Sequence, residues 1–205
     1  MRVPARGHMK RSLLALLLLT ACSPKGEELV IRDHQGRPAA RVQLRSGAKN
    51  GAVLLFRPDG KIRLEGEYVD DRRTGWWKSF HPNGSTRSLT PYLEGAKEGP
   101  RIHWDSTGRP TRAEYFSKGM PHGHFYRFFP DGRLAQHSIY MNGVLHGRHD
   151  QWYDHEGGVR VQGRYEHGAE SGLWTAWDHT GRMIWQAYLK DGELSRAVFG
   201  EWRRY

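Results

Sequence analysis

Between glycines at 51, 75, 99, 123, 147 and 172, apolar and polar positions repeat on a fixed lattice of 24 residues, stretched once to 25. Five residues into each unit stands an aromatic: Phe56, Phe80, Trp104, Phe128, Trp152 and Trp177. Later in each unit comes a second aromatic, at Tyr68, Tyr92, Phe116, Tyr140 and Tyr165, with Leu44 and Leu189 filling the end positions. Two further glycine columns keep step. One holds Gly60, Gly84, Gly108, Gly132, Gly157 and Gly181. The other holds Gly47, Gly95, Gly119, Gly143, Gly168 and Gly192, with Asp71 standing in once. Self-similarity at a short fixed period marks a repeat architecture.

Each unit predicts one β-hairpin. The first strand runs from the boundary glycine to the first aromatic, as in Gly75-Trp-Trp-Lys-Ser-Phe80. Asp59-Gly60, Asn83-Gly84 and Asp131-Gly132 then supply the positive φ that tight turns need. The second strand runs to the Tyr column, as in Arg133 to Tyr140, and a glycine-punctuated loop leads on. A lone hairpin is marginal in water. Stacked edge to edge, hairpins extend one antiparallel sheet in which each aromatic is expected to pack on its homologue next door. Trp77, Phe125 and Trp174 disturb this simple picture. They lie three residues before the column aromatic and so point to the opposite face of a regular strand. Either both faces carry aromatics or a bulge intervenes. The domain reading is a repeat domain over 27–205, with units starting near 27, 51, 75, 99, 123, 147 and 172.

Gly75-Trp-Trp-Lys-Ser-Phe-His-Pro-Asn-Gly84 and Tyr140-Met-Asn-Gly143-Val-Leu-His-Gly147 resemble the unit of the bacterial MORN-repeat variant family. The resemblance covers roughly residues 27–195. It departs at Leu44, which replaces an aromatic, and at Arg196, where the closing glycine is lost. It implies an all-β fold of tandem stacked hairpins, forming an elongated, twisted single-layer antiparallel sheet. Members are often lipoproteins, some carry an antitoxin label, and no catalytic residues belong to the repeat.

The N-terminus carries Lys10 and Arg11, an apolar run from Ser12 to Leu19, and then Leu19-Thr-Ala-Cys22. The run is too short to span a bilayer as a mature helix. The segment resembles the bacterial lipoprotein signal. Residues 1–21 are expected to be a signal peptide, Cys22 the lipidated new terminus, and 22–26 a tether. Met9 is an alternative start. Ser23 after the cysteine, rather than Asp, points to the outer membrane over the inner one.

The formal charge of +10 invites a nucleic-acid reading. Removing residues 1–21 takes away four basic residues and no acid, which leaves about +6 over 184 residues. A scattered excess of that size suits solubility, and no nucleic-acid partner is expected. Cys22 is the only cysteine, so the folded part has none for a disulfide or a cysteine metal site. The basic residues after the turn glycines, Lys61, Arg109, Arg133 and Arg182, form a candidate periodic edge for anionic lipid or glycan. Asp70-Asp71 and Glu27-Glu28 fall in turn or linker positions.

Histidine offers the one candidate metal site. His122 and His146 share a lattice position and are expected side by side, with His124 and His149 close in sequence. The competing reading is of solvated loop residues at a polar position that elsewhere holds Asn50, Thr74, Glu98 and Ser171. No catalytic group and no cofactor are expected. The leading functional expectation is a membrane-anchored protein-interaction scaffold. A glycan-binding module using free aromatics, or an inhibitor of an envelope toxin, are the alternatives. The glycan reading as framed needs Trp77, Phe125 and Trp174 to be free of the sheet's own packing.

Overall fold

The computed structural model describes residues 26–154 and 158–200. Cys22, with the signal and most of the tether, and Gly157 lie outside the described residues. The described chain is all β. Its strands are β1 (Glu27–Arg32), β2 (Pro38–Arg45), β3 (Ala48–Phe56), β4 (Ile62–Val69), β5 (Arg72–Phe80), β6 (Thr86–Leu93), β7 (Ala96–Lys97) and β8 (Gly99–Trp104). They continue as β9 (Pro110–Ser117), β10 (Met120–Phe128), β11 (Leu134–Met141), β12 (Val144–Trp152), β13 (Val159–Glu166), β14 (Ala169–Trp177), β15 (Met183–Lys190) and β16 (Glu193–Phe199). All belong to one open antiparallel sheet in which each strand pairs with its neighbours in sequence, and only β7 leaves the path. The expected stack of hairpins is the observed fold.

Two kinds of turn alternate. Within a unit, Asp105 shows the wide form: its Oδ1 accepts from the N–H of Thr107 at 2.8 Å and of Arg109 at 3.0 Å, fastening a loop that ends in Gly108. Between units the turn is tight. Asn142 (φ 51°) and Gly143 (φ 90°) both take positive φ, the type I′ requirement for a two-residue hairpin. At these tight turns the second residue's N–H donates to a carbonyl in the preceding unit, as from Gly119 to Lys97 (2.9 Å) and from Gly143 to Pro121 (2.8 Å). Asp71 takes the same place at φ 62° and makes the same bond to Lys49.

The register shifts at every column aromatic: Ser79 pairs with Ser88, but Phe80 pairs with Thr86. The extra residue lies on the partner strand, as Arg87 does, so residues 77–80 still alternate and the first reading of the offset aromatics holds. Both faces carry aromatics, and the bulge sits across the ladder rather than between Trp77 and Phe80. On one face, here the front, Trp77 sits between Tyr68 (centroids 5.1 Å apart, planes at 85°) and Tyr92 (5.9 Å). Trp174 meets Tyr165 in the same way at 5.2 Å and 84°. These edge-to-face contacts replace the expected stacking of homologues. A unit is two strands wide, so homologous positions lie about 9.6 Å apart, too far for rings to touch.

An unbroken row of paired residues crosses the front face. It runs Leu55, Leu64, Ser79, Ser88, His103, Arg112, Arg127, Gln136, Gln151, Val161, Ala176 and Trp185. The row is apolar at both ends and polar in the middle. The ends carry the two hydrophobic clusters, one around Val42, Val53 and Trp77 and one around Val161, Trp174 and Trp185. On the back face, Leu89, Ile102, Ala113 and Tyr126 pair in sequence across the same middle strands. The apolar side of the sheet thus changes face in its central third.

The centre is also where the ladder thins. β6 pairs with β7 at Leu93–Ala96 and Tyr92–Lys97 and with β8 at Leu89–Ile102 and Ser88–His103, four positions where the other ladders have five or six. Pro91 in β6 and Pro100 in β8 have no N–H to give, and β7 leaves the path between them.

Candidate interaction surface

Several turn and loop side chains bond the next unit. Lys61 donates to the Pro82 carbonyl (3.3 Å), Arg109 to that of Pro130 (2.9 Å), and Arg133 to that of Asp154. Lys61, Arg109 and Arg133 therefore staple one turn to the next, while Arg182 pairs with Asp178 of its own turn and is largely exposed. His81 bonds the Trp104 carbonyl (2.9 Å), and the Tyr153 hydroxyl donates to that of Trp177 (2.9 Å). Trp77 and Trp174 are 3% and 4% exposed, and Phe125 lies half-buried against Tyr140. None of the three is free for a sugar, and the glycan reading loses the residues first assigned to it.

The histidines do not gather as the sequence suggested. His122 and His146 stand on β10 and β12, with β11 between them. His146 instead faces His167 (5.3 Å between centroids). His149 is buried on the front face, against Tyr165 and Trp174. Among the described residues no three His, Cys, Asp or Glu side chains are placed to hold a metal ion.

Ser138 and His149 form a hydrogen-bonded pair (Oγ to Nδ1, 2.8 Å) that resembles a nucleophile and its base. Ser138 is 0% exposed, and the other ring nitrogen of His149 meets the Gln151 amide (3.1 Å) rather than a carboxylate. No substrate atom can reach the hydroxyl, and the pair serves packing. Burial pushes the His149 imidazole below its ordinary value of 6.5; His137 adds to this, and Asp150 opposes it. The folded chain keeps His149 neutral where the unfolded chain binds a proton, so stability falls as pH drops below about 6.5. Thermal melts between pH 7.5 and 5 should show this fall, and His149→Phe, which copies Phe125 of the same column, should flatten it. An unchanged slope in the variant would refute the assignment.

Beside this pair, Glu114 holds the polar centre of the front face, 3.4 Å from Arg101 and 3.7 Å from both His103 and Arg112. Burial raises its carboxyl, but the bond from His103 and the charges of Arg112 and Arg101 bring it below the ordinary value. Its contribution to stability is lost only in a lower window, as pH falls below about 4.5.

The back face is different. Across the middle strands run Trp76, Pro91, Pro100, Tyr115, His124 and Ile139, pairing as Trp76–Pro91, Pro100–Tyr115 and His124–Ile139. Trp76 is 53% and Tyr115 45% exposed. Glu67 precedes this band and Arg148 and Arg164 follow it in the same row. Within the band, Pro100, Ala113, Tyr115, His122, His124 and Tyr126 border an open groove of about 290 Å³. Its floor is Gly123, which at φ 90° has no side chain to fill the space beside Tyr115.

Behind the groove lies a chain of polar groups. His124 Nδ1 is 2.9 Å from His137 Nε2, and His137 Nδ1 is 3.5 Å from Asp150 Oδ2. Asp150 is 1% exposed and also accepts from Arg148 (2.6 Å) and Gln162 (2.9 Å). Tyr126 lies over both imidazoles with its plane within 15° of theirs. Sequence reasoning did not find Tyr115, Tyr126 or His137. The available signal was the column after the boundary glycine, Ala52, Trp76, Pro100, His124, Arg148 and Leu173, which keeps its place in the lattice but not its chemistry.

No family model matches the chain, and no curated protein matches it.

Proposed function

We propose that the protein is a bacterial envelope lipoprotein of the MORN-variant type, held by lipid on Cys22, which presents the back face of its sheet to a protein partner and catalyses no reaction itself. One observation carries this reading. The band from Trp76 to Ile139 brings exposed Trp76 and Tyr115 together with Pro91, Pro100 and Ile139 on one face of the middle strands, with Glu67, Arg148 and Arg164 at its ends. Contiguous apolar patches with polar rims mark protein-binding surfaces. Extended repeat sheets suit that use.

A photo-crosslinking amino acid placed at Trp76 or Tyr115 in the envelope should give a discrete protein adduct. The same group at Arg127, exposed on the front face, should give none. Adducts of equal yield from all three positions, or from none, would remove the reading.

A further inference from the structure

We infer that the protein which docks on the back face is a second copy of this chain, packed back to back about a two-fold axis parallel to the strands. The inference rests on the partner reading above and names its partner.

The band is large enough for such a pair. It crosses seven strands, β5, β6 and β8 to β12. A second apolar row widens it toward the tight turns. Val69, Leu93 and Met141 each follow a front-face Tyr and so turn to the back, where they stand exposed beside Met120 and Val144. With the row of Leu89 and Ile102 that makes three rows. Seven strands at ~4.8 Å by three rows at ~6.8 Å give roughly 700 Å², close to the ~800 Å² per partner of a standard interface.

The charges at the two ends of the band are of opposite sign. In the row of Trp76 and Tyr115, exposed Glu67 on β4 stands at one end, and exposed Arg148 and Arg164 on β12 and β13 stand at the other. In the row nearer the tight turns, Arg72 on β5 is answered by Glu166 on β13. Such a surface complements itself when a copy is laid on it with the strand order reversed. Along the path from β4 to β13 the middle strand is β9. Turning the copy about β9 sets its β13 over β4, its β12 over β5 and its β11 over β6. Glu67 then faces Arg164 of the second copy, Trp76 faces Arg148, Pro91 faces Ile139, and Leu93 faces Met141. Tyr115 meets its own counterpart at the axis, beside the groove over Gly123. Arg148 and Arg164 are also direct cross-strand partners. Like charges so placed are destabilising, and an acid brought over them offsets the repulsion.

The lipid anchor selects the same axis. β1 begins at the tight-turn edge, where Glu27 pairs with Leu44 just before the turn from Arg45 to Ala48. Cys22 precedes Gly26 by four residues, a reach of at most about 14 Å. An axis parallel to the strands leaves the tight-turn edges of both copies on one side, so both lipids enter one bilayer. An axis across the strands would lay Glu67 toward Glu67 and put the anchors on opposite edges.

The test uses the purified full-length protein in detergent. Cys22 is the only native cysteine, so introduced cysteines report on contacts between copies. With a thiol crosslinker of about 10 Å, the spacing of packed sheets, Tyr115→Cys should give a covalent dimer. A mixture of Glu67→Cys and Arg164→Cys copies should do the same, and neither should do so alone. Arg127→Cys, on the front face, and the unsubstituted chain should stay single. In sedimentation equilibrium the wild type should dimerise below about 100 μM, and Glu67→Arg should weaken the dimer roughly tenfold or more. Glu67→Arg with Arg164→Glu in the same chain should regain most of that loss. Melting temperatures check that the sheet of each variant is intact. A wild type still monomeric at that concentration, an unchanged dimer in folded Glu67→Arg, or crosslinking of Glu67→Cys alone would each overturn the inference. An adduct from Tyr115 with a different protein, and none between copies, overturns this inference and leaves the partner reading standing. No adduct of either kind removes both.

Discussion

Gly163→Ala should destabilise the C-terminal half of the sheet by about 3 kcal/mol, the upper part of the usual range for over-packing a core. A methyl group at Gly163 would lie 2.1 Å from Cδ2 of Trp174. The indole has nowhere to retreat. Tyr165 stands edge-on to it, His149 is tilted against it, and its Nε1–H donates to the Arg164 carbonyl at 3.1 Å. Gly66 stands in the same relation to Trp77, at 2.4 Å. Elsewhere in these two columns the facing pairs are Val42 with Val53, Glu114 with Phe125, and Ser138 with His149. Glycine occurs in them only where the facing residue is tryptophan. The double variant Gly163→Val with Trp174→Val, which reproduces the Val42–Val53 pair, should recover part of what Gly163→Ala loses. Contacts run mainly between adjacent strands, so hydrogen exchange should localise the damage to β13–β15 and leave β2–β5 protected. A global, uniform loss, or no loss at all, would contradict the packing argument.

Cys22→Ser should move the protein from the membrane fraction to the soluble fraction almost completely. A lipid chain contributes about 0.8 kcal/mol per buried CH₂, and two chains anchor a protein stably where one does not. Three of the four basic turn residues, Lys61, Arg109 and Arg133, donate to neighbouring carbonyls. Fractionation of cells expressing the variant, with metabolic labelling by a fatty-acid analogue, measures both location and modification. Membrane retention of an unlabelled variant would show that the sheet itself binds the bilayer.

The lattice was legible because turn chemistry is written in single residues. Gly143 and its column are where the backbone takes positive φ, and their spacing gives the hairpin length directly. The doubled period was harder to use. Equal positions in successive units looked adjacent, as for His122 and His146, but a hairpin puts an intervening strand between them. The contacts that matter join different columns: His124 with His137, Trp77 with Tyr68, Gly163 with Trp174. The change of apolar face in the middle of the sheet was not visible along the chain, since it depends on the bulges that set which residues face each other. The groove depended on it in turn. Tyr115 and Tyr126 read as ordinary strand aromatics until register placed them on a face that no described strand covers.

The thin seam between β6 and β8 acquires a mechanical meaning if the chain is held at β1 and engaged at the groove. Tension between those points runs across the strands, through seven ladders in series, over roughly 34 Å at ~4.8 Å per strand. A series of links yields at its weakest. Here that link is four paired positions, Leu93–Ala96 and Tyr92–Lys97 on β7 and Leu89–Ile102 and Ser88–His103 on β8, with the two prolines in the gap between them. Everything from β11 to β16 lies beyond the loaded stretch and stays slack. A pull strong enough to part the sheet would therefore open it at its middle, next to the occupied face, and leave both ends folded.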